Sequence, residues 1–122
     1  SLPALMRATK LGKRAATVGF DWPDASGARA KVLEELAEVD AAASESPARV
    51  AEEVGDLLLA VTSLARHLRV DPETALRQAN QRFEDRFRRM ESAAARRGLA
   101  LAALGPGEWD SLWEEVKRGV QS

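Results

Sequence analysis

Apolar residues recur every three or four positions along most of the chain, and no segment alternates apolar and polar residues as a strand would. The first such stripe consists of Leu5, Ala8, Leu11 and Ala15, a spacing that predicts an amphipathic α-helix. The pattern and its interruptions together predict five helices, over residues 2–17, 28–43, 47–69, 72–97 and 108–118. We therefore expect an all-α fold, a four- to five-helix bundle, with residues 1–122 forming a single domain.

Capping residues and helix breakers indicate where these helices begin and end. Ser46 followed by Pro47 is typical of a helix start, because serine caps the first turn and proline fits the first helical position. Gly98, directly after basic residues, indicates the end of the fourth helix. Residues 19–27 and 105–107 contain the glycines and prolines that break helices, so we predict loops there.

The third predicted helix contains the stretch VGDLLLAVTSLA, residues 54–65, in which Asp56 carries the single charge. A helix that is apolar on nearly every side has to be buried on nearly every side. Four or five helices from one short chain can hardly cover it. We therefore expect a homo-oligomer, most simply a two-fold dimer. The alternative is a monomer in which this helix lies at the centre.

The composition is that of a globular protein: 122 residues, of which 45% are hydrophobic and 30% charged, with a net charge of −1. The absence of cysteine excludes a disulfide scaffold, a thiolate zinc site and a cysteine nucleophile, and it fits a reducing compartment such as the cytoplasm. Aromatic residues are few, which argues against a base-stacking nucleic-acid platform. No apolar stretch approaches the ~20 residues of a membrane helix. We expect neither nucleic acid nor a membrane as a partner.

The charges are segregated along the chain, since residues 31–60 carry eight acidic and two basic residues and both flanking segments are basic. Two acidic runs stand out: EELAE at 34–38 in the second predicted helix and EEVGD at 52–56 in the third. Residues three or four apart share a helix face, so each run places two carboxylates together. The short connection predicts that the two helices are antiparallel neighbours, with their acidic runs facing each other.

Facing carboxylates repel one another, and desolvation increases the cost. A divalent cation between Glu35, Glu38, Glu53 and Asp56 would compensate for it, and a site of oxygen ligands favours Mg²⁺ or Mn²⁺. One alternative is a set of acids exposed on helix surfaces. Another is a di-iron site, but that needs Glu-x-x-His motifs, and the single histidine, His67, does not belong to one. We expect His67 to be solvated near the end of the third helix.

Basic residues suggest what a metal site of this kind would act on. Arg82, Arg86 and Arg89 form a stripe on the fourth predicted helix, and Lys31 and Arg49 each lie one turn before a candidate metal ligand. Guanidinium groups bind phosphate oxygens in pairs, so a metal and these cations together suit a polyphosphate substrate. No glycine-rich phosphate loop is present. The alternative for the arginine stripe is a solvated basic face.

The two acidic runs resemble the E-E-x-x-E…E-x-x-D signature of the MazG nucleoside triphosphate pyrophosphohydrolases. The resemblance covers nearly the whole chain, through PALMRATKLGKRAATVGFDWPD, EEVGDLLLAVTSLARHL, DPETALRQANQRFEDRFRRME and WEEVKR, and it is greatest for the C-terminal catalytic half of MazG. Enzymes of the same all-α superfamily that resemble dUTPase, dCTPase and phosphoribosyl-ATP pyrophosphohydrolase share the acidic motif, but the flanking segments match MazG better. Many MazG chains carry two copies of this domain, and one is present here, as a short form or as half of a tandem protein.

The resemblance implies an all-α homodimer that uses Mg²⁺ to hydrolyse a nucleoside triphosphate to the monophosphate and pyrophosphate. By match to the motif, it implies four metal ligands: Glu35, Glu38, Glu53 and Asp56. It also implies a nucleotide site lined by Lys31, Glu34, Arg49, Glu52, Arg82, Arg86 and Trp113. Either Glu34 or Glu52 is the candidate general base, and Trp113 either covers a base or packs in the core. The alternative function is that of a non-catalytic helical dimer that binds nucleotides or a partner protein as a regulator.

Overall fold

The structure, a computed structural model, describes residues 2–119. This part of the chain contains five α-helices, one short 3-10 helix and no strand, so the predicted all-α fold is confirmed. None of these helices is both long enough and apolar enough to cross a lipid bilayer. The α-helices are α1 (Ala4–Thr17), α2 (Ala25–Ala42), α3 (Pro47–His67), α4 (Pro72–Arg96) and α5 (Pro106–Lys117), and the 3-10 helix covers Leu101–Ala103.

Side-chain caps explain where α2 and α3 begin. The hydroxyl of Ser46 accepts a hydrogen bond from the backbone N–H of Arg49 at 3.2 Å, and α3 begins directly after this serine. The carboxylate of Asp24 accepts one from the backbone N–H of Gly27, also at 3.2 Å. Helix α2 therefore begins at Ala25 and includes Gly27, which the sequence pattern had assigned to a loop.

Helix α5 begins inside a segment that was also predicted to be a loop. Its first residue is Pro106, because proline is accommodated in the first turn, where its missing N–H has no helical partner to lose. The carboxylate of Glu108 accepts a hydrogen bond from the backbone N–H of Gly105 at 3.1 Å. This bond satisfies a donor ahead of the first turn.

The chain forms two compact units, divided after Ala75. In the first unit α3 packs against both α1 and α2, and its contact with α2 is the more extensive. Residues 43–46 connect α2 to α3, and so short a connection makes the two helices antiparallel neighbours. In the second unit α4 and α5 share a small core of Met90, Ala93, Ala94, Leu112 and Val116. The assignment of residues 1–122 to a single domain stays a prediction.

The first unit has a core of small side chains. Besides Pro72, the buried apolar residues among those described in this unit are all alanines: Ala28, Ala42 and Ala60. Of the eleven larger aliphatic residues of α2 and α3, five are half-buried and six are between 39% and 54% exposed, namely Leu33, Leu36, Val54, Leu58, Leu59 and Val61. Helix α3 is therefore partly exposed within the described chain, and the choice between a dimer and a monomer stays a prediction.

Candidate active site

Three carboxylates from α2 and α3 come together in the first unit. Glu35 on α2 and Glu53 and Asp56 on α3 each have one carboxylate oxygen within 4.8 Å of the other two. Glu53 and Asp56 share a face of α3 because they are three residues apart, and the packing of α2 against α3 brings Glu35 to that face. We refer to these three residues as the acidic cluster. Glu35 and Glu53 are only 8% and 7% exposed, and carboxylates buried to this degree require charge partners.

Lys31 supplies one of these partners. Its Nζ lies 2.9 Å from Oε1 of Glu35 and 3.5 Å from Oε1 of Glu34, because Lys31 precedes both by about one helical turn. The hydrogen bond with Glu35 raises the pKa of Lys31 above its ordinary value, while burial opposes the rise. Lys31 thus places an amino group whose charged form is favoured beside the acidic cluster.

Arg49 supplies the second partner and contacts three carboxylates. Its Nε lies 3.1 Å from Glu45, and its two terminal nitrogens lie 3.1 Å from Glu52 and 2.7 Å from Glu53. The hydrogen bonds with Glu45, Glu52 and Glu53 raise the pKa of Arg49 above its ordinary range. One guanidinium thus links Glu45, just before α3, to Glu52 and Glu53 within α3.

The acidic cluster keeps an excess of negative charge. Two cations, Lys31 and Arg49, face three cluster carboxylates, and their charge is shared with exposed glutamates outside the cluster. The donors are carboxylate oxygens from three different turns of helix, with no thiolate or imidazole among them. Such a donor set fits a hard divalent cation rather than a soft one.

The remaining predicted residues of the acidic runs lie at the edge of the cluster. The side chains of Glu34 and Glu52 are 61% and 64% exposed and form ion pairs with the two cations. Glu38 is exposed on α2 and is not one of the three residues of the cluster. Gly55 leaves open space beside Asp56, because a Cβ there would meet nothing within 4 Å. The roles of Glu34, Glu38 and Glu52 as metal ligand, general base or substrate contact stay predictions.

Three other residues predicted for the nucleotide site belong to the second unit. Arg82 is exposed and Arg86 is half-buried, both on α4. Trp113 on α5 packs against the core of this unit, and its ring centroid lies 5.5 Å from that of Phe83. The packing interpretation of Trp113 matches this position, and the assignment of the three residues to a nucleotide site stays a prediction.

The first unit also contains an ion-pair group that the sequence did not reveal. Arg66 donates two hydrogen bonds to the carboxylate of Asp21, and Nε2 of His67 lies 3.0 Å from the same carboxylate. His67 is therefore not solvated as expected, since its side chain is 12% exposed. The hydrogen bond from Arg66, supported by His67 and the backbone N–H of Trp22, lowers the pKa of Asp21 well below its ordinary range, although burial acts in the opposite direction. No spacing rule connects residues 21 and 66, so only the packing of α3 could bring them together.

The fold and the acidic cluster define an all-α protein with a candidate divalent-cation site. Residues 5–83 match the profile of the phosphoribosyl-ATP pyrophosphohydrolase family, and the chain belongs to this family. The match includes the whole acidic cluster and both of its cationic partners.

Two relatives extend the similarity to nearly the full chain. The chain is 46% identical over 121 residues to the nucleoside triphosphate pyrophosphohydrolase of Escherichia coli, a match that covers 97% of this chain and 46% of that protein. It is 42% identical over 121 residues to the nucleoside triphosphate pyrophosphohydrolase/pyrophosphatase MazG of Thermotoga maritima. That match covers 99% of this chain and 47% of that protein. The predicted resemblance to MazG is thus confirmed. The chain spans about half the length of these relatives.

Proposed function

We propose that the acidic cluster is the catalytic centre of a nucleoside triphosphate pyrophosphohydrolase, which releases a nucleoside monophosphate and pyrophosphate. The observation that carries this proposal is the convergence of Glu35, Glu53 and Asp56, two of them nearly buried, beside two fixed cations. The names of the family and of both relatives support it, because all of them describe hydrolysis that releases pyrophosphate.

Magnesium is the cofactor we propose, with manganese as a possible substitute. Glu35, Glu53 and Asp56 would hold the ion, and Glu38 is the proposed fourth ligand from the adjacent turn of α2. When bound, a divalent cation supplies Lewis acidity to phosphoryl oxygens and to water, and it compensates for the repulsion among the carboxylates.

The chain's own residues then perform the remaining tasks. Lys31 and Arg49 bind the phosphate oxygens of the substrate, since each is a cation held by one nearly buried cluster glutamate and its other partners are exposed glutamates. Glu34 or Glu52 accepts the proton of the attacking water. Both carboxylates are exposed, and both lie next to one of the phosphate-binding cations, so each can reach solvent and substrate.

We further propose that the chain acts as a homodimer in the cytoplasm. On α3, Val54, Leu58 and Val61 are spaced as one helical face and are all exposed; we call them the α3 stripe. The buried apolar residues described in the first unit are Pro72 and three alanines, and the side chains of the α3 stripe stay between 39% and 54% exposed. A second copy that covers the α3 stripe would bury them by a two-fold contact.

A pyrophosphate-release assay tests the proposed reaction. The protein is incubated with Mg²⁺ and a panel of nucleoside triphosphates, together with phosphoribosyl-ATP because of the family's name, and a parallel series contains EDTA. We expect equimolar monophosphate and pyrophosphate with Mg²⁺ and neither with EDTA. Nucleotide binding without any pyrophosphate would instead support the non-catalytic regulator and overturn the proposal.

A further inference from the structure

A cavity of about 490 Å³ within the first unit has charged residues at both of its ends. Lys31, Glu35 and Asp56 line one end, beside the acidic cluster. Asp21 and Arg66 line the other, which we call the far end. Arg66 follows Asp56 by ten residues on α3, so the two ends are ~15 Å apart along this helix. The other described residues that line the cavity are uncharged, so a ligand that spans it meets charge at its two ends.

At the far end, the carboxylate of Asp21 binds both terminal nitrogens of Arg66. One carboxylate oxygen accepts a hydrogen bond at 2.7 Å and the other accepts one at 2.9 Å. Nε2 of His67 lies 3.0 Å from the first of these oxygens. The side chains of Asp21 and Arg66 are 21% and 16% exposed, so solvent and salt screen their charges only in part. The positive charge of Arg66 is therefore already paired before a ligand enters the cavity.

Nucleotides differ in what they would place at the far end when their triphosphate lies at the acidic cluster. An ordinary nucleoside triphosphate has no further charged group. Phosphoribosyl-ATP, the compound in the name of the family, carries a second phosphate on a ribose that is attached to its base. A guanidinium with free terminal nitrogens would bind such a phosphate, because its paired donors match phosphate oxygens. Here Asp21 occupies these donors, and its own charge repels an incoming phosphate.

We propose that Asp21 is a specificity-determining residue, which makes the chain discriminate against nucleotides that carry a second phosphate at the far end of the cavity. The inference rests on the proposed function, because it requires the triphosphate to lie at the acidic cluster. Specificity of this kind comes from a repulsive group directed against the wrong ligand as well as from contacts with the right one. Nucleoside triphosphates without a second phosphate are then the preferred substrates.

Substitution of the two partners should have opposite effects on this preference. The measured quantity is kcat/KM for phosphoribosyl-ATP divided by kcat/KM for ATP. Asp21→Asn releases Arg66 from its charged partner, so the ratio should rise about tenfold or more, as expected for a new hydrogen bond between charged groups. Arg66→Gln leaves the carboxylate of Asp21 without its guanidinium, so the ratio should fall. The double variant should lie close to the unaltered chain.

A purely structural role of the contact would produce a different result. Each single substitution breaks the same tie between α3 and the segment that precedes α2, so a folding defect would change both ratios in the same direction or not at all. Thermal unfolding of each variant identifies a temperature at which all of them are folded, and the kinetics are measured there. Asp40→Asn is the matched control, since Asp40 is exposed and does not line the cavity; it should leave the ratio unchanged.

Three results would overturn the proposal. The first is an unaltered chain that hydrolyses phosphoribosyl-ATP as efficiently as ATP. The second is a ratio that stays the same, or moves in one direction, in both single variants. The third is a gain in Asp21→Asn that persists after the addition of Arg66→Gln, because Arg66 would then not be the group that binds the second phosphate.

Binding measurements separate this inference from the proposed reaction. The dissociation constants of ATP and phosphoribosyl-ATP are measured by calorimetry for the unaltered chain and for Asp21→Asn. If no pyrophosphate is released but Asp21→Asn weakens the preference for ATP in binding, the reaction is wrong and the role of Asp21 stands. If ATP is hydrolysed but the preference is the same in both proteins, the reaction stands and the role of Asp21 is wrong.

Discussion

The guanidinium of Arg66 on α3 binds the carboxylate of Asp21 through two hydrogen bonds, of 2.9 and 2.7 Å, across 45 positions of sequence. Gly12 on α1 makes room for this contact, because a Cβ there would lie 3.2 Å from Nε of Arg66. His67 adds a third contact to the same carboxylate at 3.0 Å. The segment between α1 and α2 is thereby tied to the C-terminal end of α3.

Replacement of Asp21→Asn should lower the midpoint of thermal unfolding at pH 7, because Arg66 loses its charged partner. Since folding lowers the pKa of Asp21 from its ordinary value of 3.8, the ionised carboxylate stabilises the fold above that pH. This stabilisation is lost as the pH falls toward the lower pKa of the folded state. The difference between the two proteins should therefore shrink as the pH is lowered below about 4. Circular dichroism melts between pH 7 and pH 2 would measure it.

Asp40→Asn provides the control for Asp21→Asn. Asp40 is exposed on α2, so its replacement should leave the unfolding midpoint unchanged at pH 7. Equal midpoints for all three proteins at pH 7 would show that the Asp21–Arg66 contact does not stabilise the fold.

Replacement of Asp56→Asn should lower kcat/KM with Mg²⁺ by at least about 100-fold, since even residues that only support metal ligands cost up to this factor. The same change removes one charge from three carboxylates within 4.8 Å of one another. The metal-free protein should therefore be as stable as the unaltered chain, or more so. Steady-state kinetics measures the loss of kcat/KM, and thermal unfolding in EDTA measures the stability of the metal-free protein. Asp110→Asn, on the exposed surface of α5, is the control and should keep full activity. Near-full activity of Asp56→Asn would disprove the assignment of Asp56 as a metal ligand.

Replacement of Arg49→Ala should destabilise the metal-free protein, because the nearly buried Glu53 loses its 2.7 Å ion pair. Saturating Mg²⁺ should recover part of the loss, since a bound cation supplies the missing charge and adds its own binding free energy to the folded state. Arg49→Lys keeps the charge but not the planar fork, so we expect an intermediate result. Unfolding midpoints are compared in EDTA and in Mg²⁺.

The exposed Arg77→Ala serves as the control for Arg49→Ala and should change neither midpoint. If Arg49→Ala lowers the unfolding midpoint equally in EDTA and in Mg²⁺, a bound cation does not replace the charge of Arg49 beside the acidic cluster.

Replacement of Leu58→Glu should convert the proposed dimer into a monomer, because it places a charge at the centre of the α3 stripe. Light scattering after size-exclusion chromatography measures the mass directly. Leu99→Glu, an exposed leucine beyond the end of α4, should leave the dimer intact. A monomeric mass for the unaltered chain would refute the dimer.

Periodicity and capping predicted most of the secondary structure, because a helix depends on residues within a turn or two of each other. The start of α3 after Ser46 followed from such local contacts. The start of α2 was placed too late, since the cap formed by Asp24 carries Gly27 into the first turn. Glycine and proline are ambiguous in this respect: the same residues that break a helix also fit its first turn.

The sequence by itself determined the helices, their acidic faces and the chemistry of the oxygen donors, because spacing along one helix sets which carboxylates point the same way. Only the tertiary structure decided that Glu35 joins Glu53 and Asp56 while Glu38 stays exposed on α2. It also decided that His67 meets Asp21 instead of water. These contacts depend on how far each helix is rotated against its neighbour, and the packing of whole helices sets that rotation rather than any local pattern.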